Sequence, residues 1–342
     1  MGTTETNAWL DFSATPPAAL GNGVRQVIEP ATGEVLCTVG IANAADVAKA
    51  TAAAAIAQAR WVMVHPREKA EIFRRAATLF QQHFDTLSLF VARETGGILP
   101  KGQHEIREAA LLCNLAAGMP LQAQGQVLPT QYGRTSLARR VPHGVVGVIS
   151  PFNFPMILAI RAVAPALAAG NAVIIKPDTR TPVSGGLMIA SVFAQAGLPA
   201  GLLQVLPGDA EAGEALVTDP LVPMIAFTGS PAVGRRIGEL AGRHLKKVSL
   251  ELGGSNALVI LDDADLDVAA SNAAWGAFFH QGQICMASNR ILVRESMVQG
   301  LIEKMVAKAT HLPVGNGASG QVALGPVIDA KQRDRIHQLS FK

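Results

Sequence analysis

From residue 145 onward the chain alternates between short apolar runs and longer stretches with helical spacing. Val145-Val146-Gly147-Val148-Ile149 is apolar throughout, as a parallel strand covered on both faces requires. Residues 155–169 then carry apolar positions at helical intervals and stop at Gly170. The pattern repeats, with strands at 172–175, 202–206, 223–227 and 248–250 and helices at 183–196, 210–218 and 232–245. Five strands alternating with four helices predict an α/β fold, a parallel sheet with helices on both faces and right-handed crossovers. Ligands bind such sheets outside the carboxyl ends of the strands. Asn153, Lys176, Thr228-Gly229-Ser230 and Glu251 all fall at or just beyond those ends.

The flanks follow other patterns. Residues 22–39 read as a hairpin around Pro30-Ala31-Thr32-Gly33, and the Ala-rich stretch 45–62 as a helix. Pro66 opens one long helical stretch, 67–93, which Gly96-Gly97 closes; proline in a first helical turn loses no hydrogen bond. A further helix is expected at 104–117, then a connection or edge hairpin at 122–135. After Gly254 the pattern predicts strands at 257–261 and 289–294 and helices at 265–279, 298–310 and 329–339. The nearly uncharged run 143–160 contains Pro151 and Pro155, so it reads as strand, turn and helix start rather than as a membrane span.

Composition narrows the function. Hydrophobic residues are 49% and charged residues 16% of 342, which describes a globular chain long enough for two domains. A net charge of +3, scattered, with only 5% aromatic residues, argues against nucleic acid as partner. Cys37, Cys113 and Cys285 are odd in number, far apart and without a CxxC spacing. They suit neither a disulfide framework nor a metal site, and point to the reducing cytoplasm. Residues 1–14 have neither the basic start nor the apolar core of a secretory signal.

The candidate chemistry centres on Phe279-His280-Gln281-Gly282-Gln283-Ile284-Cys285-Met286. A lone cysteine is ordinarily a small buried hydrophobe. Three other segments change the picture: Pro151-Phe152-Asn153-Phe154-Pro155, Ile175-Lys176-Pro177 and Leu250-Glu251-Leu252-Gly253-Gly254. They add an amide donor, a cation and a carboxylate, which a thiol needs to attack a carbonyl beside a nucleotide. Each has a plainer reading. Asn153 suits a helix cap, Glu251 a solvated or salt-bridged carboxylate, and Lys176 a surface lysine. His280 is expected to line the mouth of the site. No G-x-G-x-x-G follows a strand; Phe227-Thr228-Gly229-Ser230-Pro231-Ala232-Val233-Gly234 stands there instead, a turn and helix start whose N–H groups can hold phosphate.

These segments occur in the order and rough spacing of the aldehyde dehydrogenase superfamily, which the chain resembles from the hairpin near Gly33 to Gly325-Pro326. The stretch from Ala274-Trp275-Gly276 to Met286 is most similar to bacterial benzaldehyde dehydrogenases. The resemblance implies a Rossmann-like cofactor domain with N-terminal helices over 1–251. A hairpin near 122–142 would serve oligomerisation. Residues 252–342 would be the N-terminal part of an α/β catalytic domain. It also implies roles. Cys285 would be the nucleophile, giving a thiohemiacetal and, after hydride transfer to the nicotinamide, a thioester. The Asn153 side chain and the Cys285 N–H would form the oxyanion hole, where losing one donor costs about 100- to 1,000-fold. Glu251 would be the base that activates the hydrolytic water. The cofactor would lie against Ile149, Ser150, Pro151, Lys176, Thr179, Gly208, Phe227, Thr228, Gly229, Ser230, Val233, Gly234, Leu252 and Gly253, and the substrate against Phe154, His280 and Ile284. Where the family often has a Glu that favours NAD, this chain has Thr179, so NAD is expected and NADP stays open. Family members continue beyond the position of Lys342, so a truncated enzyme is expected, homo-oligomeric when full length. Two alternatives remain. One is a semialdehyde or aliphatic aldehyde dehydrogenase, for whose carboxylate only Arg290 flanks Cys285. The other is a nucleotide-binding fragment without turnover.

Overall fold

The computed structural model describes residues 8–13 and 18–340; the reading of residues 1–14 as lacking a leader falls mostly outside them. The hairpin near the N-terminus forms as β1 (Val24–Ile28) against β2 (Val35–Gly40), antiparallel, with a bulge between Val27 and Ile28. Helix α1 (Ala44–Trp61) starts at a capping box, in which Asn43 and Asp46 satisfy each other's backbone N–H.

The expected single helix over 67–93 is two. Helix α2 (Pro66–Gln82) ends at His83, whose φ of −105° and ψ of 22° leave the helical region, and α3 (Phe84–Thr95) restarts at once. The buried positions Phe73, Ala76, Phe80, Leu87 and Val91 keep helical spacing across the break, so periodicity could not reveal it. Gly96 closes α3 at φ 67°, a left-handed cap suited to glycine. Helix α4 (Leu99–Gly118) is longer than expected at its start. It leads to an exposed hairpin, β3 (Gly125–Leu128) with β4 (Ser136–Arg139).

The parallel sheet is present as expected. Its strands are β5 (Val145–Ile149), β6 (Ala172–Lys176), β7 (Leu203–Val205), β8 (Met224–Gly229) and β9 (Lys247–Leu252), in the order β7-β6-β5-β8-β9. The connecting helices are α5 (Pro155–Ala168), α6 (Met188–Gln195), α7 (Ala210–Thr218) and α8 (Pro231–Arg243). A π-helical turn, Val183–Leu187, precedes α6. Helices cover both faces: a Cβ at Gly147 would meet Leu216 of α7, while Val146 and Val148 line a groove with Leu158 of α5. From β5 the chain builds outward through β6 and β7, then returns to lay β8 on the other side. The switch point is therefore between β5 and β8, where such sheets bind ligands.

Beyond β9, a second apolar cluster forms around Ile260, Ala269, Ala270 and Leu301. It joins the parallel pair β10 (Asn256–Val259) and β11 (Ser288–Leu292) to α9 (Leu266–Phe278) and α10 (Glu295–Thr310), before α11 (Ala330–Ser340). The segment between α10 and α11 docks main chain to main chain on the turn after α3. A Cβ at Gly325 would lie 1.9 Å from the Gly96 carbonyl, and one at Gly317 2.3 Å from that of Gly97. Among the described residues no helix is long and apolar enough to cross a membrane.

Candidate active site

The route to Cys285 starts where α9 stops. His280 and Gln281 adopt φ of 49° and 57°, and Gly282 follows at 70°. A left-handed residue other than glycine costs on the order of 1–3 kcal/mol and persists only where its surroundings dictate it. Here they do. The His280 ring is buried edge-on against Phe154, with centroids 5.3 Å apart, and the Gln283 N–H donates to the His280 carbonyl at 3.0 Å. Ile328 N–H donates to Gln283 Oε1 at 3.1 Å. The chain then turns at 284–287, closed by Ala287 N–H on the Ile284 carbonyl at 3.2 Å, and the turn presents the Cys285 thiol to solvent. Asn256, at the start of β10, braces it. Its Nδ2 donates to the carbonyls of Cys285 at 2.7 Å and Ala287 at 3.1 Å.

Asn153 meets this turn from the cofactor side. It does not cap α5: the cap position is Phe154, and no side chain there makes a cap bond. Its Nδ2 instead donates to the Gln283 carbonyl at 2.9 Å. An asparagine amide has two hydrogens, so one tethers the cysteine loop and the second is left for another acceptor. The N-terminus of α5 is capped from elsewhere, by Glu105 of α4, which accepts from Met156 N–H at 3.0 Å and Ile157 N–H at 3.2 Å.

Glu251 lies inside β9 rather than beyond its end, paired with Thr228, and Thr228-Gly229 likewise belong to β8. Both strands run further than their apolar cores because ladder pairing continues through polar residues. The Glu251 carboxylate is exposed and lies 3.7 Å from the Arg161 guanidinium, which also donates to Thr228 Oγ1 at 3.3 Å. Arg161 and Glu251 line a groove of about 490 Å³ with Leu158, Phe227 and Ser249. Arg290, the only cation expected near the site, is on β11 and donates to the Ser255 carbonyl. Arg161, on α5, was unrecognised in the sequence as a neighbour of Glu251.

The expected cofactor positions gather along the carboxyl edge of the sheet. Ile149 ends β5; Ser150, buried, donates to the Gly185 carbonyl at 3.5 Å, and Pro151 follows. Lys176 ends β6. Burial holds its ammonium below the usual lysine pKa, against the pull of Asp178 and Asp209. Thr179 is half-buried in the next turn. Its neighbour Arg180 pairs with Asp178 at 2.8 Å and Asp329 at 2.9 Å, 4.2 Å from the centre of the Phe152 ring. Gly208 is packed tightly: a Cβ there would lie 2.6 Å from Ala212 Cβ. Phe227, Thr228 and Gly229 end β8, with the Phe227 ring folded over Gly229. Ser230 caps α8 by accepting from Val233 N–H at 3.4 Å. Leu252 ends β9, and Gly253 N–H donates to the Gly229 carbonyl at 3.1 Å. A Cβ at Gly234 would come within 2.4 Å of Leu252 Cδ2, so that glycine serves helix–strand packing.

This donor set suits a dinucleotide. A half-buried ammonium on β6 and a helix N-terminus after β8 flank β5 on its two sides, at the switch point, with a cation for ribose hydroxyls and backbone dipoles for phosphate.

Two substrate-side expectations change. His280 does not line a mouth; it is buried behind Phe154, and burial, with Lys101 nearby, drives its pKa well below the ordinary value, so the ring is neutral. Phe154 is buried as well, and Ile284 is half-buried at the start of the cysteine turn. Asn256 and Glu105 carried no motif; only their contacts reveal them.

The sequence matches the aldehyde dehydrogenase family over residues 20–340. It is 56% identical over 317 residues to a vanillin dehydrogenase of Amycolatopsis sp., covering 93% of this chain and 65% of that protein. It is 48% identical over 329 residues to a benzaldehyde dehydrogenase [NAD(+)] of Pseudomonas putida, covering 96% of this chain and 67% of the relative. The structure superposes on a NAD-dependent benzaldehyde dehydrogenase from Corynebacterium glutamicum with a TM-score of 0.87 and 41% identity, over 94% of this chain and 71% of that one. The chain thus spans about two thirds of the length of the curated relatives it matches. With a cysteine turn tethered by an asparagine amide, at the carboxyl edge of a dinucleotide-type sheet, the chain belongs to the aldehyde dehydrogenase family.

Proposed function

We propose that this chain carries the nucleophile and cofactor site of an NAD-dependent aldehyde dehydrogenase acting on aromatic aldehydes. One observation carries the reading: the Asn153 amide, from the cofactor side, bonds to the loop of Cys285. Cys285 Sγ attacks the carbonyl carbon, the thiol proton passing to solvent, and the carbonyl π electrons move onto oxygen. The oxyanion is held by the second Asn153 N–H and the Cys285 backbone N–H. Bound NAD supplies the acceptor for the hydride that leaves the carbon. Lys176 and the α8 N-terminus hold the nucleotide, with NADP tolerated at Thr179. Glu251 then takes a proton from the water that attacks the resulting thioester on Cys285, and the acid departs as the thiol is restored. Ile284, half-buried at the start of the cysteine turn, walls the aldehyde side.

The boundary between cofactor and catalytic parts is drawn at Glu251–Leu252, which separates the two apolar clusters. The exposed β3–β4 hairpin suits contact with a second copy, and three free cysteines suit the cytoplasm. The test is absorbance of reduced nicotinamide when the chain meets NAD with benzaldehyde or vanillin. Steady production supports the reading; cofactor binding without production favours a nucleotide-binding fragment. A larger kcat/KM for succinic semialdehyde than for benzaldehyde would overturn the aromatic reading.

A further inference from the structure

Between α3, α4 and α5 lies a charged cluster that the proposed chemistry does not use. The Lys101 and Glu105 side chains are both 0% exposed, with Nζ and Oε1 2.7 Å apart. Lys101 Nζ also donates to Thr95 Oγ1 at 3.1 Å, and that hydroxyl donates to the Val91 carbonyl at 2.7 Å while accepting from Gly97 N–H at 3.2 Å. A buried ion pair is poor value for stability, because apolar residues of the same volume are often as good or better. What distinguishes this pair is its aim. Glu105 Oε2 accepts from the first free N–H groups of α5, at Met156 and Ile157. Lys101 Nζ lies 4.7 Å from the centre of the Phe154 ring, close enough for a cation–π attraction. The same ring meets His280, which occupies the left-handed turn leading to Cys285.

We propose that Lys101 and Glu105 are a positioning pair for the oxyanion hole. The carboxylate fixes the start of α5, and so the short segment before it, from which Asn153 presents its amide to Gln283. The ammonium holds the Phe154 ring against His280, and so the turn that sets the Cys285 N–H. Both donors of the hole are thereby referred to one buried pair. The inference rests on the roles given above to Asn153 and Cys285. It predicts that the pair is dispensable for folding and necessary for rate.

The variant Lys101→Met/Glu105→Leu tests this, since removing both charges together leaves neither uncompensated. Its thermal midpoint should stay within a few degrees of the parent. Its kcat on benzaldehyde should fall about 10- to 100-fold, the size of effect expected from a misplacement of up to 1 Å. The KM for NAD should hold within about two-fold, and so should the rate at which iodoacetamide alkylates Cys285, because neither needs the hole. Added to Asn153→Ala, the double substitution should cost less than it does alone, since the part of its effect that passes through the Asn153 amide is already lost and only the part through the Cys285 N–H remains. Full kcat in the double variant, or losses that multiply with Asn153→Ala, overturn the inference. Glu105→Gln is the second variant: loss of protection from hydrogen exchange at Met156 and Ile157 together with a lowered kcat supports it, and loss of protection at full kcat overturns it. If Asn153→Ala turns over like the parent, or the parent does not turn over, the reading of the site itself fails, and this inference with it.

Discussion

Replacing Asn256 by alanine isolates what holds the cysteine turn. The side chain gives two hydrogen bonds, to the Cys285 and Ala287 carbonyls, and its own N–H meets Asn289 Oδ1 at 3.3 Å. Only the first two are lost in Asn256→Ala. A typical bond of this kind contributes about 0.5–1.5 kcal/mol net. Asn256 is exposed, so water replaces part of each bond, and the lower half of that range applies. The sum is about 1–2 kcal/mol. It falls on the local order of the turn rather than on global unfolding, since the acceptors are loop carbonyls. If the whole of it appears as misplacement of the Cys285 N–H in the transition state, the rate falls roughly 5- to 30-fold, at 1.4 kcal/mol per factor of ten. The assay is the steady production of reduced nicotinamide from benzaldehyde, with the KM for NAD measured alongside and expected to be unchanged. Asn256→Asp should be at least as slow, because a carboxylate facing two carbonyls offers no donor and repels both. A kcat for Asn256→Ala within two-fold of the parent refutes the reasoning, and so does an Asn256→Asp variant faster than Asn256→Ala.

Cys285→Ala should abolish oxidation while leaving NAD binding, followed by titration calorimetry, nearly intact; equal loss of both would make the thiol structural. Glu251→Gln should leave a burst of reduced nicotinamide and block steady turnover, as stopped-flow absorbance would show, and loss of the burst itself would count against a role confined to hydrolysis. Glu94, fully buried on α3, accepts from Val183 N–H at 3.0 Å and Ser184 N–H at 2.8 Å, yet burial raises its carboxyl from the ordinary 4.5 to about 7. The folded state then binds its proton more tightly than the unfolded chain does. This stability is fully present below pH 4.5 and is lost as the pH rises to 7, with an upper bound of roughly 3 kcal/mol. Urea unfolding over that window should show the decline in the parent and a flatter profile in Glu94→Gln; parallel profiles would remove Glu94 as the cause.

The sheet was legible because its central strands β5 and β6 and the start of β8 are short apolar runs bounded by turn residues, and because Gly170 and Pro223 punctuate it. Cys285, Asn153, Lys176 and Glu251 were legible as motifs. What the sequence hid has common physical causes. The break at His83 preserves the spacing of buried residues, so no period changes. Glu251 and Thr228 extend their strands through polar side chains, which a pattern of apolar runs cannot register. His280 looks like a polar residue of the site, but burial is decided by Phe154, a partner distant in the chain. Arg161, Asn256 and Glu105 act through contacts with segments that only the fold brings near.

The docking of Gly325 on the Gly96 carbonyl bears on the order in which the molecule matures. This contact joins segments far apart in the chain, and closing so long a loop carries an entropic cost that local contacts do not. Strand pairing within 145–252 and the helices before it need far shorter closures, so they form ahead of it. The same late segment carries Ile328, whose N–H grips Gln283, and Asp329, which reaches Arg180 beside Phe152. A refolding chain is therefore expected to complete its dinucleotide edge before its cysteine turn, with cofactor binding regained ahead of turnover; simultaneous recovery of the two on dilution from urea would refute this order.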